Sequence, residues 1–115
     1  MINNICLEGR LVTPFKEINK DNTKFGVATF VIQTNKKNKF ISLLIFSANA
    51  YLYDKAQKRL LEENKGKRLC VSGKIAFDSM DNIQIVVSDI EFIDKFIDSK
   101  TLNENKVVFD ENEVP

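Results

Sequence analysis

The chain has 115 residues, 17 lysines and arginines against 16 acids for a net charge of +1, and 43% hydrophobic residues. That length suits one domain able to bury a core without disulfide or metal staples, and its longest apolar run, Leu43 to Phe46, is far too short to span a bilayer. With no histidine, no glycine loop for phosphate and only scattered acids, the chain is not expected to be an enzyme, hold a metal or carry a cofactor.

Residues 3–12 alternate, with Ile5, Leu7, Gly9 and Leu11 on one face and Cys6, Glu8, Arg10 and Val12 on the other, which predicts a strand. Residues 13–24 are polar and contain Pro14, Asn19, Asp21 and Asn22; they predict a loop or hairpin turn. Residues 25–34 are rich in Phe, Val, Ile and Thr and predict a second strand. The basic turn Asn35-Lys-Lys-Asn-Lys39 leads to a third at 40–46, completing a hairpin.

A helix is expected next. Ser47 or Asn49 can cap it, Leu52, Ala56 and Leu60 recur at helical spacing, and Asn64 and Gly66 end it. Residues 68–77 predict a fourth strand, Asp78 to Asn82 a turn, and residues 83–93 a fifth strand. The order is three strands, a helix, then two strands, which is that of a five-stranded OB-fold barrel with its helix between strands three and four. The expected domain covers residues 1–97, and residues 98–115 are expected to form a disordered acidic tail. Cys6 and Cys70 lie inside strand-like runs and are expected to be small buried hydrophobes rather than a disulfide. No basic-then-apolar leader precedes the first strand, so a cytoplasmic location is the expectation.

The near-zero net charge averages two regions. Residues 1–100 carry 16 cations and 12 acids, net +4, while residues 101–115 carry one lysine and four acids, net −3. Such a sign asymmetry is either a matter of solubility or the mark of a polyanionic partner. The third strand is the best place for a binding surface. Ile41, Leu43 and Ile45 supply a core face, so Phe40, Leu44 and Phe46 on the opposite face are surplus to the barrel interior. Phe30, Phe92 and Phe77 are expected in the core by their alternation. Arg10, Lys24, Lys36, Lys37, Lys39 and Lys74 are the basic candidates, three of them on the turn beside Phe40.

The opening Met-Ile-Asn-Asn-Ile-Cys-Leu-Glu-Gly-Arg-Leu, then Phe25-Gly-Val-Ala-Thr-Phe-Val-Ile-Gln-Thr34 and Lys39-Phe-Ile-Ser-Leu-Leu-Ile-Phe46, resemble in order the first three strands of bacterial and phage single-stranded DNA-binding proteins. The resemblance covers about residues 1–94. It implies non-specific binding of single-stranded DNA during replication, recombination or repair, through bases stacked on Phe40 and Phe46 and phosphates held by Arg10, Lys24, Lys36, Lys37, Lys39 and Lys74. It also implies a homotetramer, or at least a dimer. Met80 matches a stacking position of the family but has no extended π-face. Relatives often end in an acidic run with an apolar tip that other replication proteins grip. Here Asp110, Glu111, Glu113, Val114 and Pro115 supply acids and apolar residues without a terminal Phe. The segment from Phe46 to Gly66 is several residues longer than the usual family helix. The alternatives are an OB-fold module that binds a protein of a replication or primosome assembly, with weak DNA binding, and an RNA binder.

Overall fold

The computed structural model describes residues 3–99, and the tail residues Asp110, Glu111, Glu113, Val114 and Pro115 lie outside them. Five strands form a closed barrel: β1 (Ile5–Lys20), β2 (Thr23–Gln33), β3 (Asn38–Phe46), β4 (Arg68–Phe77) and β5 (Ile83–Phe92). Their order around the barrel is β1-β2-β3-β5-β4. The helix α1 (Ala50–Arg59) stands between β3 and β4, as expected of an OB-fold. All ladders are antiparallel except the short β3–β5 pairing, where Ser42, Leu43 and Leu44 face Gln84, Ile85 and Val86.

Alternation fills the interior. Ala28 and Phe30 from β2, Ile41, Leu43 and Ile45 from β3, Leu69 and Val71 from β4, and Ile85 and Ile90 from β5 are all buried. Phe30 is therefore a core residue, as expected. It passes beneath β1 so closely that a Cβ on Gly9 would fall 2.6 Å from its ring and 2.6 Å from the Val31 carbonyl oxygen. Only glycine fits at that crossing. In β5 the register slips by one residue after Val87, so both Ser88 and Asp89 are exposed before Ile90 turns inward again. This is a β-bulge, which bends the strand around the barrel.

The first strand is longer than expected. Residues 13–24 are not a loop: β1 runs on through Pro14 to Lys20, and β2 already begins at Thr23. The reason is that β1 serves two partners. Ile5 to Arg10 pair with β4, and Arg10 to Lys20 pair with β2. Register shifts between Leu11 and Thr13 and between Thr13 and Lys16 bend the strand from one partner to the other. Pro14 sits in the second of these irregularities, a position that proline tolerates in a sheet. The reversal itself takes two residues, Asp21 (φ 52°) and Asn22 (φ 63°), which accept the left-handed backbone of a tight hairpin.

Asn49, rather than Ser47, caps α1, its side-chain oxygen accepting from the Leu52 amide at 3.3 Å. Leu52, Tyr53 and Ala56 bury the inner face against the barrel end. The helix stops at Arg59, earlier than the expected Asn64 or Gly66, and a 3-10 turn follows at Glu62–Asn64. Leu60 leaves the helix to become buried, and its carbonyl accepts from the Phe15 amide at 2.8 Å. The fully buried Asn64 donates its amide to the Arg59 carbonyl at 2.7 Å, so that freed acceptor is satisfied. Gly66 then takes a left-handed φ of 86°.

The cysteines also differ from expectation. Cys6 is exposed, Cys70 is half-buried, and both lie on the outside of the barrel with their sulfurs 2.9 Å apart. The outward parity of Cys6 in β1, shared with the exposed Glu8 and Arg10, places them there.

Candidate nucleic-acid interface

Directly opposed residues of neighbouring strands share a face, and strands lie about 4.8 Å apart. Register therefore turns the outer wall of the barrel into rows. One row runs Arg68, Arg10, Val31, Phe40 across β4, β1, β2 and β3. Another runs Lys16, Val27, Leu44, Val86, Lys74 across β1, β2, β3, β5 and β4. Between them lies the more polar row Thr13, Thr29, Ser42, Gln84, Ala76. The second row is thus a half-exposed apolar band, Val27, Leu44 and Val86, with an exposed cation, Lys16 or Lys74, at each end.

Two rings mark the ends of β3 on this wall. Phe40 is 60% exposed, so its ring is open to solvent. Phe46 is 38% exposed and leans on Phe25, ring centroids 5.8 Å apart and tilted by 42°. Six residue steps along the strand separate the two, roughly 20 Å at strand rise. Beside the Phe40 row, a cleft of about 280 Å³ is lined by Glu8, Gly9, Arg10, Val31, Gln33 and Arg68.

Neither a protein-family model nor a curated protein matches the sequence. Solved structures do match the shape. The mitochondrial single-stranded DNA-binding protein of S. cerevisiae aligns over 81% of this chain and 95% of its own, with 16% identity and a TM-score of 0.62. The small single-stranded DNA-binding protein of Streptomyces coelicolor aligns over 80% and 94%, at 17% identity and 0.60. The Plasmodium falciparum protein of this kind, solved with single-stranded DNA, aligns over 82% and 96%, at 18% identity and 0.58. The chain has the OB-fold of these single-stranded DNA-binding proteins.

On this OB-fold the expected site residues fall into three groups. Arg10, Phe40, Phe46 and Lys74 share the outer wall. Arg10 gives one guanidinium nitrogen to the Gly66 carbonyl at 2.8 Å, which fixes its direction while its other donors stay available. Lys36 and Lys37 project from the β2–β3 turn, which Thr34 closes by bonding both the amide and the carbonyl of Lys37, at 3.2 and 2.8 Å. They extend the wall beyond Phe40. Lys39 and Lys24 stand apart. Lys39 faces Ile32 and so points to the opposite side of the sheet from Phe40. Lys24 pairs with Glu17 at 3.5 Å and lies 5.8 Å over the Tyr53 ring, so its charge is already engaged within the protein.

Met80 is 80% exposed at the tip of the β4–β5 hairpin. Asp78 builds that tip, accepting from the Met80 amide at 2.8 Å and from the Asn82 amide at 2.9 Å. These bonds, those from Asn82 foremost, hold the Asp78 carboxyl below its ordinary value. Phe77, expected in the core, is instead 62% exposed. Its parity is that of Leu69 and Val71, but β1 stops pairing with β4 at Gly73 and β3 reaches β5 only as far as Gln84. The end of the hairpin therefore stands clear of the barrel, and Phe77 has no interior to face.

Lys16 and Arg68 join the wall without having been expected there. Lys16 was hidden by the turn-like composition around it, and only the continuation of β1 gives it a face. Arg68 is opposite Arg10, an adjacency between distant residues that no local pattern carries. Two arginines side by side would repel. Arg68 is neutralised by Asp94, whose oxygens take its Nη2 at 2.9 Å and its backbone amide at 2.8 Å. The same contacts hold the Asp94 carboxyl below its ordinary value.

Proposed function

We propose that this protein binds and protects single-stranded DNA with little sequence preference, in replication, recombination or repair, and does no chemistry on it. The carrying observation is the outer wall: an exposed Phe40 in register with Arg10, and an apolar band flanked by Lys16 and Lys74. A single strand offers flat base faces and phosphates, and a binder without sequence preference needs stacking surfaces beside cations. The solved proteins of this fold are themselves named for single-stranded DNA binding. One barrel offers a short wall, so we infer an oligomer, a homotetramer or a dimer, that lengthens the path, and a cytoplasmic site of action.

The test is fluorescence anisotropy with labelled oligo-dT, a duplex of equal length and oligo-U, each at two salt concentrations. Tight binding to oligo-dT, weaker binding to duplex, and a log–log salt slope of about −3 are expected, since each single-strand phosphate contact adds about −0.7. Equal binding to oligo-U extends the substrate to RNA. Absence of any single-strand preference rejects the proposal. A second reading then takes over, favoured by the aliphatic character of Val27, Leu44 and Val86: a module that binds a protein of a replication or primosome assembly.

A further inference from the structure

Cys6 and Cys70 play no part in the wall just described. Cys6 on β1 faces Ser72 on β4, and Cys70 faces Glu8, so the two cysteines form a diagonal pair across the first ladder. Strand twist closes this diagonal: the sulfurs are 2.9 Å apart, in hydrogen-bond contact but well beyond the ~2.04 Å of a disulfide. They are thiols held at attacking distance on strands that the barrel already fixes, and Cys6 is open to solvent.

We propose that Cys6 and Cys70 are an oxidation site that takes a peroxide and closes an intrachain disulfide between β1 and β4. This inference is independent of the nucleic-acid reading. Cys6 is the attacking sulfur. Hydrogen bonding with Cys70 and with Ser72 holds its thiol below the ordinary value, enriching the thiolate. Cys70 is the resolving sulfur. It is the more buried of the two, and its hydrogen bond with Cys6, burial, and the negative charges of Cys6, Glu91 and Glu8 push its thiol up to about 11.

The chemistry balances with hydrogen peroxide as oxidant. The Cys6 sulfur attacks one peroxide oxygen, the O–O bond breaks, and Cys6 becomes a sulfenic acid while the hydroxide released takes a proton to become water. That step removes the negative charge on Cys6, one of the causes that raise Cys70. The Cys70 sulfur then attacks the Cys6 sulfur, the S–O bond breaks, and the departing hydroxide takes the Cys70 proton as a second water. Two thiols and one peroxide give one disulfide and two waters. The bond would join residues 64 apart in sequence, a long loop whose closure restricts the unfolded chain.

The experiment titrates the full chain with hydrogen peroxide and follows free thiols, intact mass and mobility on a non-reducing gel. The expected result is loss of both thiols per chain, a mass lower by two hydrogens, a monomeric non-reducing band, and a melting temperature raised by roughly 10 °C that dithiothreitol reverses. Cys70→Ser should leave Cys6 to go on to sulfinic acid, and Cys6→Ser should slow thiol loss at least tenfold. Affinity for oligo-dT should not change on oxidation. Persistence of both thiols, a mass gain of oxygen atoms in the wild-type chain, or disulfides only between chains would each overturn the proposal.

Discussion

Tyr53 donates its hydroxyl to a Glu17 carboxylate oxygen at 2.6 Å, and this bond ties α1 to the extended part of β1. Around it, Phe15 meets the Tyr53 ring edge-on at 5.2 Å, and Lys24 caps the cluster from β2. The helix thereby braces the β1–β2 hairpin that carries Lys16 onto the outer wall. Removing the hydroxyl in Tyr53→Phe leaves Glu17 with Lys24 alone. A loss of about 1.5–3 kcal/mol in urea unfolding is expected, as for a hydrogen bond to a charged group.

The same residue sets an alkaline limit. Burial first, then the hydrogen bond and charge of Glu17, push the Tyr53 phenol up to about 12. Its contribution is complete below the ordinary tyrosine value near 10, because both states are then protonated. Between about pH 10 and 12 the unfolded chain ionises while the folded one does not, so stability falls across that window. Tyr53→Phe should abolish this part of the decline, seen as the difference between the two unfolding profiles against pH.

Asn64 is the one buried polar side chain among the described residues, and each of its atoms is used. Its nitrogen donates to the Arg59 and Ile97 carbonyls, and its oxygen accepts from the Ile97 amide and the Lys67 ammonium, all at 2.7–2.9 Å. It joins the end of α1 to the chain after β5. Asn64→Ala strands those groups and should cost about 2–3 kcal/mol. Oligo-dT affinity should be unchanged at temperatures where the variant is folded.

On the acid side the relevant pair is Asp94 with Arg68. Hydrogen bonds from the Arg68 guanidinium and amide depress the Asp94 carboxyl. A depressed carboxyl stabilises the fold above its unfolded value and loses that contribution as pH falls through the folded value. Asp94→Asn should therefore flatten the acid limb of stability below about pH 4, measured by urea midpoints from pH 7 to 2. An unaltered acid limb would show that the exposed pair contributes nothing measurable.

How much of this was legible in the sequence follows from how local each signal is. The alternation of Ile41, Leu43 and Ile45, or of Leu69 and Val71, marks strands directly, and the surplus face of β3 follows by subtraction. The strand bounds of β4 were readable for the same reason. Three things depended on partners far along the chain. Pro14 and the polar residues after it look like a turn, but pairing with β2 keeps them in β1. Phe77 has core parity, and only the end of the neighbouring ladders leaves it outside. Lys24 and Lys39 look like Lys74 in sequence, but one meets Glu17 and the other turns from the wall.

Phe40 and Phe46 separate stacking from packing. Phe40 is largely open, so Phe40→Ala should cost little stability and weaken oligo-dT binding by about 1–3 kcal/mol, the loss of one stacked base. Phe46 rests on Phe25, so Phe46→Ala should lower both affinity and unfolding free energy. Unchanged oligo-dT affinity in a folded Phe40→Ala variant would assign that ring to a protein partner.

The lysines give a contrast within one charge type. Lys16 and Lys74 bound the apolar band on opposite sides, whereas Lys24 is held by Glu17 and Tyr53. All three substitutions to alanine remove one positive charge, so a long-range field effect would weaken binding equally. Direct phosphate contact would not: Lys16→Ala and Lys74→Ala should each reduce the log–log salt slope by about 0.7, and Lys24→Ala should leave it within error. Measuring oligo-dT affinity at four or five salt concentrations for the three variants decides the matter. Three equal slope changes would mean that the cations act through the general field of the barrel and not along the Lys16–Val27–Leu44–Val86–Lys74 row.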